Sequence, residues 1–534
     1  MKYNSLIQAF CFFVILVEVT NLRKHCDVFS KYINVIDAGS TGTRMHIFKY
    51  HFESNVIIVE KENFTEIQPG LSAYLNRIEV AATSLIPLLN YSNSIVPFCE
   101  RSYAQIYVKA TAGLRKLKNH TQAEYILNSV RSVLVNYSFP MKNTNSVSLL
   151  NSSSEGVNAW LTVNYLTNNL ADCNETYAVL DLGGGSTQIT FEVDSKTKCL
   201  FRTNTLKNKA YSSKAFELFT KSFHDKGLRS ARQQILENTN DFKMFDVQNR
   251  VTLISHSCVP HNHTFNWNYE GITYVVNNSP VRDCYEAINS FVKRDESANK
   301  LSSALNDRTV VAIANYYKVA LKSGMLQSSL NELLSLRVKD YLKQAKRICP
   351  GSFRNLTSIK APFNKTMRNH YLSQNNFICV DLTYITILLK KVFGLKMEKE
   401  IYVVGKINEF EVSWALGYAL QEIASNKYTV DLNSSHPIAI HAILAAINGH
   451  DLRKRCPKCE RPFHYLYDVD EFSKHDPRLP LYNLRYMTIV DYILYNNICS
   501  YKQYVNFHES PDSFKNELLS IMSENSIKDD PIFE

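Results

Sequence analysis

Residues 34–48 read NVIDAGSTGTRMHIF, and residues 178–192 read AVLDLGGGSTQITFE. Each stretch is an apolar strand that ends in Asp-x-Gly, followed by a small polar turn with Ser-Thr and a second apolar strand. Asp37 and Asp181, near the ends of the two first strands, are separated by about one domain length of chain. The repeated hairpin therefore predicts an α/β protein with two similar lobes and a cleft between them.

The turns of these hairpins have the chemistry of an anion site. Successive glycines leave backbone N–H groups uncovered, and such concavities bind phosphate. The two aspartates are hard oxygen ligands that suit Mg²⁺ or Ca²⁺. Four hydroxyl groups add hydrogen-bond donors: Ser40, Thr41, Ser186 and Thr187. One such loop alone is equally typical of an ordinary glycine turn, but two in the same register favour a cleft that binds a polyphosphate and its metal.

The composition is that of a globular protein whose partners are not nucleic acids. The chain has 534 residues, is 45% hydrophobic and carries a formal net charge of +10, so it can bury more than one core. Lysine and arginine are scattered without a dense basic run, which argues against a nucleic-acid groove. Nothing in the sequence indicates an oligomeric state.

The N-terminus has the pattern of a secretory leader. The apolar run over residues 6–17 is shorter than the about 20 residues that cross a bilayer. It fits a signal peptide over residues 1–20 that is cleaved near Asn21, with an uncleaved signal anchor as the alternative. We therefore expect a secreted glycoprotein, or one in the lumen of the endoplasmic reticulum or Golgi, without a membrane span unless this segment is retained.

Sequons and cysteines agree with an oxidising compartment. Asn-x-Ser/Thr sequons include those at positions 63, 90, 119, 174, 262, 355, 364 and 433. Apart from Cys11 in the leader the number of cysteines is odd, so at least one thiol is free or bonded to another chain. We expect two disulfides across loop-sized intervals, Cys258–Cys284 and Cys349–Cys379. Cys456 and Cys459 form a CxxC that favours a local disulfide, because no second ligand pair completes a zinc site.

The order of predicted elements divides the chain into five parts. After the leader, lobe I covers residues 27–170 and lobe II covers residues 171–405, each with one phosphate-binding hairpin. Residues 406–425 form a helix that returns to lobe I, and residues 426–534 are an extension without a recognisable role. Within lobe II, the apolar patterns predict helices over residues 214–223 and 310–321.

Five segments, in this order, resemble the nucleoside triphosphate diphosphohydrolases, or apyrases. They are DAGSTGTR (37–44), KATAGLR (109–115), EGVNAW (155–160) with NY (164–165), DLGGGSTQ (181–188) and SWALG (413–417). The segments QPGLSAY (68–74) and CVDLTY (379–384) resemble the branch of soluble, lumenal or secreted members. The resemblance extends from residue 32 to residue 421. It implies a two-lobed actin-like, ribonuclease H-like fold with a nucleotide cleft between the lobes.

The resemblance also implies roles for individual residues. Glu155 is implied as the base that activates the attacking water, and Thr111 and Gln188 as groups that orient the water or the terminal phosphate. Asp37 and Asp181 are implied to position Ca²⁺ or Mg²⁺ through its water shell. The implied phosphate ligands are Ser40, Thr41, Gly42 and Arg44 in the first loop, and Gly184, Gly185, Ser186 and Thr187 in the second.

At several of these positions the local sequence supports a second interpretation. Tyr316 and Tyr317 stand where the family places an aromatic ring against the nucleobase, although either ring also suits helix packing. Ser152 and Glu155 form a capping box, so the cap and the base compete for one carboxylate. Arg44 opens a strand, where arginine is commonly a solvated edge residue, but in a phosphate loop its fork-shaped cation suits an anion.

The sequence therefore predicts a divalent-metal-dependent hydrolase of nucleoside diphosphates and/or triphosphates. A water activated by Glu155 attacks the terminal phosphate and releases inorganic phosphate. Likeness to the soluble branch implies a preference for diphosphates such as UDP and GDP. The alternatives are a catalytically silent nucleotide-binding or interaction protein on the same fold, against which the intact Glu155, Asp37 and Asp181 argue, and an exopolyphosphatase, against which the leader and segment 155–160 argue.

Overall fold

The structure is a computed structural model that describes residues 31–425. Short gaps within this range lie at residues 55, 76, 118–119, 172–174, 195–197, 208–209, 213, 261, 280, 327–331 and 354–362. The predicted leader, the extension over residues 426–534, Cys456, Cys459 and the sequons at positions 119, 174, 355 and 433 lie outside the described residues.

Lobe I is built on a five-stranded sheet whose central strand carries Asp37. Its strands are β1 (Lys31–Ala38), β2 (Thr43–Glu53), β3 (Val56–Ile67), β4 (Gln105–Ala110) and β5 (Val147–Leu149), in the order β3-β2-β1-β4-β5. β1 is antiparallel to β2 and parallel to β4, and β5 is parallel to β4. Every residue of β1 from Ile33 onward is buried, because apolar clusters cover both faces of the sheet.

The helices of lobe I follow these strands in chain order. They are α1 (Ile78–Thr83), α2 (Ile86–Ile95), α3 (Phe98–Arg101), α4 (Ala112–Arg115), α5 (His120–Leu134) and α6 (Ser152–Leu166). Two 3₁₀ turns lie at Leu71–Tyr74 and Thr144–Ser146. The short helix α4 starts two residues after β4 ends and α6 starts three residues after β5 ends, so both helices begin at the edge of the sheet where the first hairpin turns.

Lobe II contains a seven-stranded sheet and a smaller four-stranded sheet. In chain order its strands are β6 (Ala178–Leu182), β7 (Ser186–Glu192), β8 (Asn204–Lys207), β9 (Ala215–His224), β10 (Phe242–Asp246), β11 (Val251–His256), β12 (Thr264–Tyr269), β13 (Ile272–Asn278), β14 (Val310–Ala314), β15 (Leu334–Arg337) and β16 (Glu400–Val403). The large sheet has the order β15-β16-β14-β6-β7-β9-β8, and the small sheet has the order β10-β11-β13-β12.

The helices of lobe II are α7 (Leu228–Asn238), α8 (Cys284–Phe291), α9 (Ala298–Leu305), α10 (Asn315–Lys322), α11 (Val338–Ile348), α12 (Lys365–Gln374) and α13 (Ile378–Lys391). Two 3₁₀ turns lie at Lys198–Leu200 and Pro350–Ser352. The described chain ends with the short hairpin β17 (Lys406–Ile407) and β18 (Phe410–Glu411), followed by α14 (Trp414–Ser425). In the part of the chain that the structure describes, no helix has the length and apolarity needed to cross a membrane.

The two large sheets share one topology. In lobe II the neighbours β9-β7-β6-β14-β16 repeat the order β3-β2-β1-β4-β5 of lobe I. The directions also agree, since β6 is antiparallel to β7 and parallel to β14, and β14 is parallel to β16. This repeated arrangement, with two antiparallel pairs followed by two parallel pairs of neighbouring strands, is that of the ribonuclease H-like fold. The predicted fold class, α/β with two actin-like lobes, is confirmed.

One predicted helix of lobe II is wrong, and a second is wrong over its first five residues. Residues 215–224 form β9, in which Phe216 and Leu218 are buried and their neighbours are less so, because this strand pairs with β7. Residues 310–314 form β14, and a helix begins only at Asn315. β14 lies between β6 and β16, and a strand covered on both faces has a continuous apolar sequence that cannot be distinguished from a buried helix by periodicity.

The lobes meet at a close crossing of α6 and α14. α6 also lies against β6, β7 and β9, so it contacts both halves of the molecule. Trp160 and Trp414 belong to one apolar cluster at this junction. The Gly417 N–H donates to Thr162 Oγ1 at 2.8 Å. A Cβ atom at position 417 would lie 2.0 Å from Asn158 O, so the crossing requires glycine there.

Both predicted disulfides are confirmed. Cys258–Cys284 links the end of the small sheet to α8, and Cys349–Cys379 links the end of α11 to α13. Among the described cysteines, Cys199 carries an exposed free thiol. Lobe II is therefore covalently cross-linked at two places.

We predict that Gly417→Ala lowers the free energy of unfolding by about 1–3 kcal/mol, because the added methyl group overpacks the α6–α14 crossing. Thermal unfolding followed by circular dichroism measures this effect. Gly351→Ala is the control, since a Cβ atom there meets nothing within 4 Å. Equal melting temperatures for the two variants would contradict the requirement for glycine at the crossing.

Candidate active site

The two repeated hairpins have the same backbone geometry. Asp37 pairs across the strands with Arg44, and Asp181 pairs in the same way with Gln188. In each copy the N–H two positions after the aspartate donates to the carbonyl oxygen three residues further on, at 3.0 Å in both turns. The copies therefore present equivalent loops, one from each lobe, and differ in the side chain opposite the aspartate.

The two loops touch at the bottom of the cleft. A Cβ atom at position 184 would lie 2.4 Å from Ser40 Oγ, and one at position 185 would lie 2.6 Å from Ala112 Cβ. Glycine at these positions is what allows the second loop to approach lobe I. The structure thus brings together the predicted phosphate ligands Ser40, Gly184 and Gly185.

Two carboxylates face each other beside these loops. Arg44 Nη1 donates to Asp37 Oδ2 at 3.1 Å, whereas the buried Asp37 Oδ1 has no hydrogen-bond partner. Asp181 is buried, and its carboxylate has no hydrogen bond or ion pair with any described residue. Burial and the neighbouring Asp37 raise the pKa of Asp181 to about 7.

A divalent cation fits this pair of carboxylates. The unpartnered oxygen of Asp37 and the carboxylate of Asp181 are hard ligands, and a cation between them would relieve their repulsion. The described residues contain no cluster of three or more His, Cys, Asp or Glu that could form an all-protein metal site. A cation held by two carboxylates keeps coordination positions for water and phosphate, which is how Mg²⁺ is commonly bound.

Glu155 does not have the predicted capping role, because another residue caps the helix that carries it. α6 begins at Ser152, and its N-cap is Asn151, whose side-chain oxygen accepts from the Ser153 N–H at 2.8 Å. The predicted cap by Ser152 is therefore wrong by one residue. Because Asn151 satisfies the start of the helix, the carboxylate of Glu155 is available to the cleft.

Glu155 is paired with Arg115, a residue for which the sequence analysis predicted no role. Arg115 Nη2 contacts Glu155 Oε2 at 3.1 Å, and its Nη1 donates to Leu150 O at 2.8 Å. Burial raises the pKa of Glu155 to about 8; Arg115 opposes this shift, and Asp181 and Asp37 add to it. A carboxyl with its pKa near neutrality is suited to accept a proton during turnover.

The same arginine connects the base to the second loop. Arg115 Nη2 donates to Ser186 Oγ at 3.3 Å, and Gln188 Nε2 donates to that oxygen at 2.9 Å. Gln188 Oε1 is buried without a partner, so it can accept a hydrogen bond from a water. The contacts run without interruption from Glu155 in lobe I to Gln188 in lobe II. Arg115 is the last residue of the segment KATAGLR, and that position was the only sequence signal for it.

Other predicted ligands of the first loop lie around Asp37. Arg44 contacts Glu66 Oε2 at 3.3 Å in addition to Asp37, so it is a partly buried cation and not a solvated edge residue. Thr41 is exposed at the tip of the turn, and Gly42 is buried behind it. Arg44 thus stabilises one oxygen of Asp37 and leaves the other unpaired.

Two predicted threonines also lie at the site. Thr187 Oγ1 donates to Asp181 O at 2.7 Å, so this hydroxyl closes the second hairpin. Thr111 is buried between β4 and α4, where its N–H donates to Ala38 O at 3.2 Å. Thr111 therefore lies beside the end of the strand that carries Asp37.

The tyrosines predicted to contact the nucleobase are packed in the core of lobe II. Tyr316 is fully buried, and Tyr317 has only 7% of its surface exposed. A Cβ atom on Gly405 would lie 2.4 Å from Tyr317 Cε1, so this ring already has a backbone neighbour. Neither ring forms an open stacking surface, and helix packing is the interpretation that agrees with the structure.

A family model for the GDA1/CD39 (nucleoside phosphatase) family matches residues 23–435 of the chain. The chain belongs to this family. The match includes both hairpins, α6 and α14, and it confirms the family resemblance predicted from the five segments. Members of the GDA1/CD39 family are divalent-cation-dependent phosphatases.

Individual relatives of the GDA1/CD39 family agree with this assignment. The chain is 32% identical to ectonucleoside triphosphate diphosphohydrolase 5 of Gallus gallus over 394 residues, which cover 72% of this chain and 85% of that protein. It is 30% identical to the guanosine-diphosphatase of Schizosaccharomyces pombe over 438 residues, covering 74% of each. It is 30% identical to nucleoside-diphosphatase uda-1 of Caenorhabditis elegans, covering 72% of this chain and 80% of that one. The predicted enzyme class, a hydrolase of nucleoside phosphates, is confirmed.

Among solved structures, nucleoside triphosphate hydrolases from Neospora caninum align over 80% of this chain and 98% of their own, with 13% identity and a TM-score of 0.49. A Ppx/GppA family member from Aquifex aeolicus aligns over 75% of this chain and 100% of its own, with 15% identity and a TM-score of 0.42.

We predict that Arg115→Met moves the acid limb of the pH profile of kcat/KM to higher pH. Arg115 favours the ionised form of Glu155, so its loss raises the pKa of Glu155 further and less base is ionised at a given pH. One pH unit of displacement reduces kcat/KM about tenfold on the acid side of the profile. Arg115→Lys keeps the charge and serves as the control. A profile of Arg115→Met that is scaled down but not displaced would contradict this role.

Proposed function

We propose that this protein hydrolyses the terminal phosphoanhydride of nucleoside diphosphates, and that of triphosphates less efficiently. Membership of the GDA1/CD39 family supports the hydrolysis of nucleoside phosphates. Two relatives are named guanosine-diphosphatase and nucleoside-diphosphatase, and these names support the preference for diphosphates.

One observation carries the proposal: a buried carboxylate, Glu155, is joined through Arg115 and Ser186 to Gln188 across two facing phosphate loops. A protein that only binds nucleotides needs the loops but not a buried carboxylate with a raised pKa beside them. The arrangement therefore favours hydrolysis over silent binding.

The side chains suggest how the proton is handled. Glu155 accepts a proton from a water as the water oxygen bonds to the terminal phosphorus. The bond from phosphorus to the bridging oxygen breaks, so inorganic phosphate and the shortened nucleotide separate. Arg115 favours the ionised form of Glu155 and orients it, and Gln188 Oε1 accepts a hydrogen bond from the second O–H of the water.

The loops and the two aspartates would hold the polyphosphate. Backbone N–H groups of the glycine turns, with the hydroxyls of Ser40 and Ser186, donate to phosphate oxygens. Asp37 and Asp181 are the residues that would hold Ca²⁺ or Mg²⁺. When bound, such an ion neutralises phosphate charge that builds up in the transition state.

We place the protein in the lumen of the secretory pathway or outside the cell. The leader pattern over residues 1–20 and the two disulfides of lobe II suit an oxidising compartment. Three of the predicted sequon asparagines, Asn90, Asn262 and Asn364, are exposed on the surface, as glycosylation requires.

We expect phosphate release from UDP, GDP and ADP in the presence of Mg²⁺ or Ca²⁺, at higher kcat/KM than from the corresponding triphosphates. Glu155→Gln should lower kcat at least about a hundredfold with little change in nucleotide affinity, because it removes the general base and keeps the shape of the side chain. Phosphate release and equilibrium nucleotide binding measure the two effects separately.

Glu124→Gln is the matched control, since Glu124 is an exposed glutamate that pairs with Arg131. A wild-type protein that binds nucleotides and releases no phosphate from any of them would establish the silent interpretation. A Glu155→Gln variant with the kcat of Glu124→Gln would show that another group is the base.

A further inference from the structure

Two cations reach across the cleft, each from one lobe to the phosphate-binding side of the other. From lobe I, Lys116 Nζ contacts Asp225 Oδ1 at 2.6 Å and donates to Ser230 Oγ at 2.7 Å. From lobe II, Arg229 Nη1 donates to Ser40 O at 2.9 Å. Arg229 also donates through Nη2 to Asn268 O at 3.4 Å and lies over the Tyr269 ring, whereas the partners of Lys116 are side chains.

Lys116 is placed against the second phosphate loop. A Cβ atom at position 185 would lie 3.4 Å from Lys116 Cε and Nζ, so the ammonium group lies directly beside the backbone of Gly185. Lys116 follows α4, and the preceding residue is Arg115. This short helix therefore directs two successive cations into the cleft, one to the base and one to the loop expected to bind phosphate.

The partner of Lys116 in lobe II is easily exchanged. Asp225 has 64% of its side chain exposed, and an ion pair this open to solvent contributes little to stability. Ser230 is buried in the first turn of α7, and it fixes the direction of the ammonium group. A phosphate in the second loop carries more charge than one carboxylate and would be a stronger acceptor for the same donor.

We propose that Lys116 binds the terminal phosphate of the nucleotide. Its ammonium group exchanges Asp225 for a phosphate oxygen in the second loop and keeps its hydrogen bond to Ser230. Asp225 holds the ammonium in place before the nucleotide enters and competes with phosphate for it. The inference rests on the proposed function, because it adds a phosphate ligand to the same site.

A purely structural ion pair between the lobes makes a different prediction. If Lys116 and Asp225 only hold the lobes together, then removing either charge breaks the same contact and changes KM in the same direction. If Lys116 binds phosphate and Asp225 competes for it, the two substitutions change KM in opposite directions.

The experiment compares Lys116→Gln, Lys116→Arg and Asp225→Asn with the wild-type enzyme, using UDP as substrate and inorganic phosphate as a competitive inhibitor. Asparagine is chosen at position 225 because that residue has a φ of 61°, which asparagine tolerates. Lys142→Gln is the matched control, since Lys142 is a partly exposed lysine paired with Glu422 away from the loops. Melting temperatures show whether each variant is folded.

We expect Lys116→Gln to raise KM for UDP and the inhibition constant of inorganic phosphate about tenfold, because a hydrogen bond between charged groups is lost. Lys116→Arg should stay within about threefold of wild type, since the charge is retained. Asp225→Asn should lower both constants about threefold, in keeping with the loss of an exposed competing charge. Lys142→Gln should change neither constant.

A rise in KM for both Lys116→Gln and Asp225→Asn would overturn the inference in favour of a structural ion pair. Unchanged constants for Lys116→Gln in an enzyme that hydrolyses UDP would overturn it while leaving the proposed function intact. Failure of the wild-type protein to hydrolyse any nucleotide would instead reject the proposed function itself.

Discussion

Three carboxylates, those of Asp37, Asp181 and Glu155, are buried around one cleft. Their mutual repulsion is the main electrostatic constraint on the site, and the placement of the neighbouring cations depends on it. Burial and the neighbouring negative charges raise the pKa values of Glu155 and Asp181. Keeping all three carboxylates ionised without cations beside them would therefore be energetically unfavourable. Arg44 pairs with one carboxylate and Arg115 with another, while Asp181 has no partner among the described residues. A divalent cation between Asp37 and Asp181 would balance this unmatched negative charge, which agrees with the divalent-cation dependence of the family.

The duplicated fold is the means by which these groups are brought together. Each central strand ends in an aspartate and a glycine turn, and the two lobes oppose their turns closely enough for Gly184 to touch Ser40. The two copies differ at the position across the strands from the aspartate, which is Arg44 opposite Asp37 and Gln188 opposite Asp181. α6 carries Glu155 into the space between the lobes because this helix packs on both of them.

Local sequence patterns predicted the two hairpin turns correctly, but they were less accurate for the helices and strands around those turns. The Asp-x-Gly turns were identifiable because their residue types are needed for backbone reasons, and the two disulfides followed from cysteine spacing. The helix predicted over residues 214–223 became β9, since pairing with β7 outweighed local preference. The cap predicted at Ser152 moved to Asn151, because two adjacent residues can both serve as caps and only the backbone decides between them.

By itself the sequence determined the repeated hairpins, the family and the identity of Glu155 as a candidate base, since these depend on residue types at short, fixed spacings. Only the tertiary structure decided which residues surround that base. The contacts of Arg115 with Ser186, Lys116 with Asp225 and Arg229 with Ser40 join residues far apart in the chain. Such pairs exist because two lobes close on each other, and the geometry of that closure depends on packing across the whole molecule, which no local pattern encodes.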